Sequence, residues 1–357
     1  MNTDELCRIL DLPFNEEQLA AITAPLAPGL IVAGAGSGKT TVMAARVVWL
    51  VANELVAPEE VLGLTFTNKA AAELAAKISR SLAAAGISVR RDDRGEPVVS
   101  TYHAFAGRLV TEHGLRLGVE PRSRLLADAT RFQLAARVLR RHRGPVRALT
   151  RPLSMLVGEL VSLDSELSEH LVTPDELLAW EAGWADRLTA MAASFEGVKG
   201  TKTHTDTLTR WLSVSQQRQE LAQVVAAYRE AKRDLDAVDF GDQVSLGARL
   251  AEQIPEVGAF ERATAKVVLL DEYQDTSVAQ RRMLAGLFGG GHAVTAVGDP
   301  CQAIYGWRGA SVSNLDGFPG HFPSASGEPA GVYSLSVNQR SGGRLLQLAN
   351  QVAEALR

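Results

Sequence analysis

A glycine-rich segment at residues 34–41, GAGSGKTT, has the residue types and spacing of a phosphate-binding loop. Glycines let backbone amides turn toward phosphate oxygens, and a following helix adds the positive end of its dipole. We expect Lys39 to contact the β- and γ-phosphates of a nucleotide and the Thr40 hydroxyl to bind Mg²⁺. The segment departs from the pattern only at its first position, where Ala33 stands, and the alternative is an ordinary glycine turn before a helix. The nucleotide-binding residues predicted here are Gly34, Ala35, Gly36, Ser37, Gly38, Lys39, Thr40 and Thr41.

Two adjacent acidic residues, Asp271 and Glu272, follow the apolar run 267–270. A carboxylate at such a strand end can hold Mg²⁺, and the next one can orient and deprotonate an attacking water. We assign the first role to Asp271 and the second to Glu272. The alternative is a solvated acidic pair at a strand end. Together with Lys39, the pair completes one nucleotide site.

A glutamine, Gln18, lies shortly before the first predicted strand. Its amide can pair with the N6 and N7 edge of adenine, which would select ATP over GTP. The competing interpretation is a helix cap, because Asn15 and Gln18 have the spacing of a capping box. Taken alone, the segment favours the cap.

The segment 298–310 offers an amide, aromatic side chains and an arginine after another apolar run. Gln302 is a candidate sensor of the γ-phosphate. Trp307 is a candidate for stacking on a nucleobase, which contributes about 1–3 kcal/mol per base. The alternative is that Tyr305 and Trp307 pack in the core, as most aromatic side chains do.

Strands and helices alternate around these chemical segments. The predicted strands are the apolar runs 30–33, 61–66, 267–270 and 293–297, and the helical periodicities are at 41–53 and 70–85. This alternation is typical of βαβ units, and so it predicts an α/β fold with a parallel sheet. The stretch 107–236 reads as helical, which indicates a helical subdomain inserted into the α/β domain.

Composition narrows the class of protein. Of the 357 residues, 46% are hydrophobic and 22% charged, and the formal net charge is −4, which fits a folded globular chain rather than a disordered one. No apolar run approaches the ~20 residues of a membrane span. The acidic start does not resemble a signal peptide. Cys7 and Cys301 cannot form a disulfide framework or a four-ligand zinc site, which fits a reducing cytoplasm. We therefore expect a cytoplasmic location and, since no membrane span is found, no membrane partner.

In order and spacing, these segments resemble superfamily 1 DNA helicases of the UvrD/Rep/PcrA/RecB kind. The matching segments are the Q motif around Gln18, motif I at 34–41, motif Ia at 65–71, a Thr-Phe-His-like element at 100–105, an Asp-Phe-x-Asp element at 239–242, motif II at 271–276, motif III at 298–310 and motif IV at 338–341. The segment 43–53 is also similar to the motor of AdnB-like subunits of actinobacterial helicase–nucleases.

The resemblance implies a RecA-like P-loop domain with an inserted helical subdomain and the start of a second RecA-like domain. The implied boundaries are 1–106 and 237–330 for the two parts of the first domain, 107–236 for the insertion and 331–357 for the start of the second. The implied catalytic residues are Lys39, Glu272, Gln302 and Arg340, with ATP and Mg²⁺ as cofactors. The implied DNA-binding residues are Phe66, Asn68, Tyr102, His103, Phe105 and Trp307.

The chain departs from the family pattern at several positions. Gln339 replaces the tyrosine that usually stacks on adenine, while Arg340 keeps its expected approach to the γ-phosphate. Tyr102 and Tyr273 stand where phenylalanine is usual. Motifs V and VI are missing from these residues. We expect the strand and helix of 332–357 to lack a partner sheet and to leave Arg340 poorly held, so that the isolated chain binds ATP but is incomplete for turnover.

The implied function is an ATP-dependent, 3′-to-5′ DNA helicase or translocase motor of DNA repair or recombination. Its expected partners are single-stranded DNA and duplex junctions, together with a second motor or nuclease subunit. One alternative is a P-loop ATPase of another class, such as a transporter or partition motor, against which the Trp307 segment argues. The other is a catalytically incomplete ATP- and DNA-binding module that needs a second domain or a partner chain.

Overall fold

The computed structural model describes residues 1–87, 95–144, 146–195, 198, 200–306, 309–311 and 313–354. The chain forms two compact units, one of Met1–Arg116 with Leu246–Arg357 and the other of Leu117–Ser245. Among the described residues, no helix combines the length and apolar character that crossing a bilayer requires. The predicted domain boundaries stay a prediction.

The strands of the described residues form two sheets. They are β1 (Gly29–Ala33), β2 (Val61–Thr65), β3 (Val98–Thr101), β4 (Arg124–Leu125), β5 (Ala237–Val238), β6 (Val267–Leu270), β7 (Ala293–Gly298) and β8 (Gly331–Leu335). The first unit contains a six-stranded parallel sheet in the order β3-β2-β6-β7-β1-β8, and the second contains the short parallel pair β4-β5.

Helices make up most of the remaining described chain. They are α1 (Thr3–Leu10), α2 (Glu16–Ile22), α3 (Lys39–Ala52), α4 (Asn68–Ala84), α5 (Tyr102–His113), α6 (Asp128–Arg141), α7 (Leu153–Glu169), α8 (Pro174–Ser194), α9 (Lys202–Arg233), α10 (Phe240–Gln253), α11 (Pro255–Thr264), α12 (Val278–Phe288), α13 (Ser313–Asp316), α14 (Phe318–His321) and α15 (Gly343–Ala353). Short 3₁₀ helices lie at Pro58–Glu60, Gly114–Leu117, Tyr273–Asp275 and Pro300–Gln302.

The central sheet explains the apolar runs of the sequence. All four residues of β6 are fully buried, as expected for a parallel strand that has helices on both faces. Helix α3 packs Val42, Val47 and Val48 into the same core. The predicted α/β class with a parallel sheet is confirmed, and the carboxyl ends of β1, β2 and β6 meet at one edge.

Strand β3 was missed by the sequence analysis. It pairs with β2 over Leu62↔Val98 to Thr65↔Thr101, but it is the outermost strand on that side and its first residues are partly exposed. Two of its four residues are polar, and α5 begins at the next residue, so the segment lacks the long apolar run of a central strand.

The expectation that the strand of 332–357 lacks a partner sheet is wrong. Strand β8 pairs with β1 in parallel from Gly29↔Gly331 to Ala33↔Leu335, and Leu335 is buried in the core. The strand therefore extends the sheet of the first unit. Helix α15, by contrast, leaves Leu345 and Leu348 exposed.

The second unit has its own core, which helices α6, α7 and α9 supply with Leu134, Leu160 and Val225. Beside this core, the Lys232 ammonium lies between three carboxylates that we call the Lys232 cluster: Asp164, Asp239 and Asp242. The last two belong to the predicted Asp-Phe-x-Asp element, and each accepts a hydrogen bond from the other's backbone amide. The element thus caps the start of α10 and anchors it to α7 and α9.

Candidate active site

The glycine-rich segment forms a tight loop between β1 and α3. Gly36 has φ 73° and Gly38 has φ 90°, which glycine adopts without the strain that a Cβ atom brings. The Ser37 hydroxyl donates to the Gly34 carbonyl at 2.8 Å and braces the turn. Helix α3 begins at Lys39, and so its amino-terminal amides and its dipole point into the loop. This is the arrangement that binds an anion.

Lys39 meets the second of the two predicted carboxylates. Its ammonium lies 3.4 Å from Glu272 Oε2, although the two residues are 233 positions apart. Glu272 also accepts a hydrogen bond from the Gln274 side chain at 2.8 Å. The sheet creates this contact, because β1 and β6 end at the same edge with only β7 between them.

Asp271 is buried at the end of β6. Its backbone amide donates to the Leu64 carbonyl at 2.8 Å, which continues the pairing with β2, and its Oδ1 accepts the Glu272 amide at 3.1 Å. Burial, and then the charge of Glu272, raise the pKa of the Asp271 carboxyl to about 6. A buried carboxylate of this kind is stabilised by a nearby cation.

Glu272 has a left-handed backbone conformation, with φ 50° and ψ 43°. For a residue with a Cβ atom, this conformation costs about 1–3 kcal/mol and persists only where surrounding contacts hold it. The turn ends strand β6 and separates the two carboxylates. That of Asp271 is buried, and that of Glu272 contacts the Lys39 ammonium. The strain therefore lies at the residue predicted to be the base.

Gln18 is engaged by the protein itself. Gln18 Oε1 accepts a hydrogen bond from the backbone amide of Asn15 at 3.1 Å, and the backbone amide of Gln18 donates to Asn15 Oδ1 at 2.8 Å. The capping box of α2 is therefore present. The side-chain Nε2 donates to the Ser37 carbonyl at 3.0 Å. Gln18 thus caps its helix and also contacts the phosphate-binding loop, while adenine recognition stays a prediction.

The motif IV segment is hydrogen-bonded to the same loop. The Asn338 amide donates to the Ala35 carbonyl at 2.6 Å, and the Gln339 backbone amide donates to the Gly36 carbonyl at 2.8 Å. Asn338 Oδ1 accepts the backbone amides of Arg340 and Ser341, both at 2.8 Å. The expectation that Arg340 is poorly held is therefore wrong for its backbone, which this turn fixes beside the phosphate-binding loop.

A chain of polar contacts links the second carboxylate to Gln302. Gln274 donates to Glu272, and its Oε1 accepts the backbone amide of Asp299 at 3.1 Å. Asp299 Oδ2 in turn accepts the Gln302 side-chain amide. Motifs II and III are therefore joined through Gln274 and Asp299, two residues that the sequence analysis did not select.

The predicted DNA-binding residues fall into different environments. Phe66 is half-buried and stacks on Tyr305, with ring centroids 4.8 Å apart and planes 28° apart. Asn68 is exposed at the start of α4, and His103 is half-buried. Trp307 lies outside the described residues.

For Tyr102 and Phe105 the prediction of DNA contact needs correction. Their side chains are 0% and 2% exposed, because both lie on the face of α5 that packs into the core. Phe105 instead packs near Phe288, with ring centroids 6.2 Å apart. Neither ring offers a surface on which a base can stack.

A buried arginine, Arg46, connects the elements that carry the phosphate-binding loop. The Arg46 guanidinium, on α3, donates to the carbonyls of Ile22, Ala24 and Pro25 and to the Thr295 hydroxyl. Burial lowers the pKa of Arg46 to about 10, which leaves the side chain charged at neutral pH. Arg46 therefore ties the end of α2, the helix of Gln18, to α3 and to β7.

Comparison with known proteins identifies the family. The family model for the UvrD/REP helicase N-terminal domain matches residues 14–323, which is most of the chain. The chain belongs to this family. The UvrD/Rep-type resemblance inferred from the motifs is thus confirmed, and the parallel sheet is the α/β core of a RecA-like motor domain.

Several bacterial helicases are similar along nearly the whole chain. The ATP-dependent DNA helicase PcrA of Bacillus subtilis (strain 168) is 29% identical over 338 residues, which cover 95% of this chain and 39% of the relative. PcrA of Staphylococcus aureus (strain Mu50 / ATCC 700699) is 28% identical with the same coverage of both chains. The ATP-dependent DNA helicase UvrD1 of Mycobacterium leprae (strain TN) is 28% identical, over 98% of this chain and 40% of the relative. The chain thus spans about two fifths of the length of these relatives.

Contacts made through tertiary structure explain which site residues the sequence analysis missed. Asn338 was identified as part of a motif, yet its contact with Ala35 depends on the pairing of β8 with β1. For Tyr305 the sequence offered only the alternative that it packs in the core, and only the fold shows it against Phe66. Gln274 carried one usable signal, because it lies two residues after the predicted base on the same turn.

Proposed function

We propose that this chain is the ATP-hydrolysing motor portion of a UvrD-type DNA helicase or translocase. The observation that carries the proposal is the contact between Lys39, in a loop built to bind an anion, and Glu272, at the end of the central strand β6. Relatives named ATP-dependent DNA helicases support the assignment of ATP as the nucleotide.

Binding begins at the loop. The amides of residues 34–38 and the start of α3 hold the phosphate oxygens, and Lys39 contacts the β- and γ-phosphates. In the structure Lys39 neutralises Glu272, and phosphate oxygens compete for the same ammonium. Nucleotide binding therefore releases the Glu272 carboxylate from its ion pair.

The available ligands fit Mg²⁺, which prefers oxygen donors. The Thr40 hydroxyl belongs to the first turn of α3, next to Lys39 in the chain, and Asp271 supplies a buried carboxylate whose pKa is raised by burial and then by the charge of Glu272. When bound, Mg²⁺ neutralises charge on the β- and γ-phosphates. Glu272 then orients the attacking water and accepts its proton. Gln302 and Arg340 contact the γ-phosphate and stabilise the charge that develops there.

Coupling to DNA follows from the contacts of motif III. The polar chain from Glu272 through Gln274 and Asp299 reaches Gln302, three residues before Tyr305, which stacks on Phe66. We propose that a change at the γ-phosphate passes along these contacts to Gln302 and, through the short segment that follows it, to the aromatic pair. We assign Phe66, Tyr305, Asn68, His103 and Trp307 to the track for single-stranded DNA.

The finer assignments rest on the family. We propose 3′-to-5′ movement on single-stranded DNA, action at duplex junctions, a role in DNA repair or recombination and a second motor or nuclease subunit as partner. The similarity of residues 43–53 to AdnB-like motors supports the last assignment.

The test is nucleotide binding by a lysine variant. We expect Lys39→Ala to lose most of its affinity for a fluorescent ATP analogue in the presence of Mg²⁺, because the variant lacks the ammonium that faces the phosphates. Lys266→Ala is the matched control, since Lys266 is an exposed lysine of the same unit. Equal affinities for the wild-type chain and Lys39→Ala would remove the loop from nucleotide binding and would refute the proposed function.

A further inference from the structure

Tyr102 makes a buried hydrogen bond to the backbone between Asp271, the predicted metal ligand, and Glu272, the predicted base. Its side chain is 0% exposed, and its hydroxyl donates to the Asp271 carbonyl oxygen at 2.9 Å. Tyr102 is the first residue of α5, directly after β3, whereas Asp271 directly follows β6. In the sheet order β3-β2-β6, the tyrosine therefore reaches past the end of β2 to the end of β6.

The Asp271 carbonyl needs this donor because the strand ends there. The Asp271 amide still pairs with Leu64, but the next residue, Glu272, turns into the left-handed region. That turn directs the carbonyl of the Asp271–Glu272 peptide out of the ladder and into the protein interior. A buried carbonyl that lacks a hydrogen-bond donor raises the free energy of the folded chain. The hydrogen bond from Tyr102 therefore stabilises the turn at Glu272 relative to a backbone that continues as a strand.

The hydroxyl is a permanent donor. Burial, and then the charge of Asp271 followed by smaller contributions from neighbours that include Glu272, raise the pKa of Tyr102 well above its usual value. The hydroxyl therefore keeps its proton at neutral pH. Its bond to the carbonyl does not depend on pH near neutrality.

We propose that Tyr102 is a positioning residue of the active site, which holds the Asp271–Glu272 peptide so that one carboxylate faces the metal position and the other faces Lys39. The inference rests on the proposed function, because the two carboxylates matter only if nucleotide and Mg²⁺ bind here. Rotation of this peptide moves both carboxylates at once. Loss of the hydroxyl is therefore expected to weaken the contribution of Mg²⁺ to nucleotide binding without removing the phosphate-binding loop.

The chain offers a matched pair of single-atom variants. Tyr102→Phe removes the hydroxyl that bonds to Asp271. Tyr273→Phe removes another fully buried hydroxyl, next to Glu272, that has no hydrogen-bond partner within the described part of the chain. Both changes leave the ring in place, so they have the same effect on core volume. They differ in whether a hydrogen bond to the active-site backbone is lost.

The first readout is the affinity for a fluorescent ATP analogue in Mg²⁺ and in EDTA. In Tyr102→Phe we expect the gain in affinity from Mg²⁺ to fall about tenfold, the usual scale for a buried carbonyl left without its donor, and the affinity in EDTA to stay within about twofold of wild type. Tyr273→Phe is expected to match the wild type in both. A wild-type chain that binds no analogue in Mg²⁺ would refute the proposed function, and with it the role of Tyr102 in that function.

The second readout needs no nucleotide. Amide hydrogen exchange over residues 267–276 of the whole chain reports the mobility of the turn, and we expect exchange to be about tenfold faster in Tyr102→Phe and unchanged in Tyr273→Phe. If Tyr102→Phe equals Tyr273→Phe in both the Mg²⁺-dependent affinity and the exchange rate, the positioning role is overturned. Faster exchange with unchanged Mg²⁺ dependence would also overturn it, since Tyr102 would then stabilise the turn without positioning the carboxylates.

Discussion

Replacing Lys232 by methionine tests the network that anchors the Asp-Phe-x-Asp element. The Lys232 side chain is 3% exposed, and its ammonium lies 2.8 Å from Asp164, 3.1 Å from Asp239 and 2.7 Å from Asp242. Methionine keeps an unbranched apolar stem but carries no charge. The variant therefore leaves the carboxylates of the Lys232 cluster in the interior without their central cation.

The remaining arginines limit the damage unequally. Asp164 keeps an ion pair with Arg229 at 2.6 Å, and Asp239 keeps Arg131 at 3.4 Å, so Asp242 loses the most. Removing one partner of a buried ion pair costs about 3–5 kcal/mol, because a charge is left uncompensated in a medium of low dielectric constant. We expect the free energy of unfolding of Lys232→Met to fall by about that amount at pH 8.

The loss should depend on pH. Burial raises the pKa of Asp242 from 3.8 to about 6 in the folded chain. Folded Asp242 thus binds a proton that the unfolded chain releases, and its contribution to stability falls as pH rises through that window. Without the Lys232 charge the pKa of Asp242 rises further, so the pH range in which stability falls extends to higher pH. Each further unit of pKa shift lowers the free energy of unfolding above that range by about 1.4 kcal/mol. The variant is therefore expected to lose less stability at pH 5.5 than at pH 8.

Urea unfolding at the two pH values measures this effect. Tryptophan fluorescence is a suitable signal, because Trp180, Trp184 and Trp211 all lie in the second unit. Lys202→Met is the control, since Lys202 is an exposed lysine of the same helix and its loss should change stability by less than about 0.5 kcal/mol. Adding Asp242→Asn to Lys232→Met should recover part of the loss. A loss below about 1 kcal/mol at pH 8, or an equal loss at both pH values, would refute the reasoning.

Two further predictions concern hydrolysis and DNA. Glu272→Gln is expected to keep its affinity for the ATP analogue and to lose turnover, because the amide cannot accept the proton of water. Phosphate release is measured in a chain that contains the second motor domain. Unchanged turnover would remove Glu272 from the base role. Phe66→Ala is expected to weaken binding of labelled oligo(dT) by about 1–3 kcal/mol, since the stacking partner of Tyr305 is lost. Fluorescence anisotropy measures that affinity, and binding equal to wild type would exclude Phe66 from the DNA track.

The phosphate-binding loop could be predicted because its geometry is a local property. Gly36 and Gly38 have positive φ, which only glycine adopts without strain, and Lys39 begins the helix directly after them. The strands of the central sheet were predictable for a similar reason. A run such as 267–270 is buried on both faces, so every residue in it is apolar, and the pattern needs no knowledge of the partner strand.

The environment of the aromatic residues could not be predicted in this way. Tyr102 and Phe105 have the composition of a DNA-contacting element, yet they lie on the buried face of α5, while Tyr305 lies against Phe66. Which face of α5 meets the sheet is decided by packing against β2 and β3. An aromatic ring is equally suited to a core and to a nucleobase, so residue type alone cannot separate the two.

The sequence by itself therefore determined the α/β class and the loop of residues 34–38. It also indicated that a lysine and strand-end carboxylates together form a nucleotide site. Only the tertiary structure decided that β8 joins the sheet beside β1, that Asn338 lies on the loop and that Tyr102 bonds to Asp271. The physical reason is the range of the interactions. Backbone conformation and the burial pattern of a strand are determined by residues close together in the chain. In contrast, Asn338 and Ala35 are 303 positions apart and Tyr102 and Asp271 are 169 positions apart, and the order of strands in the sheet brings each pair together.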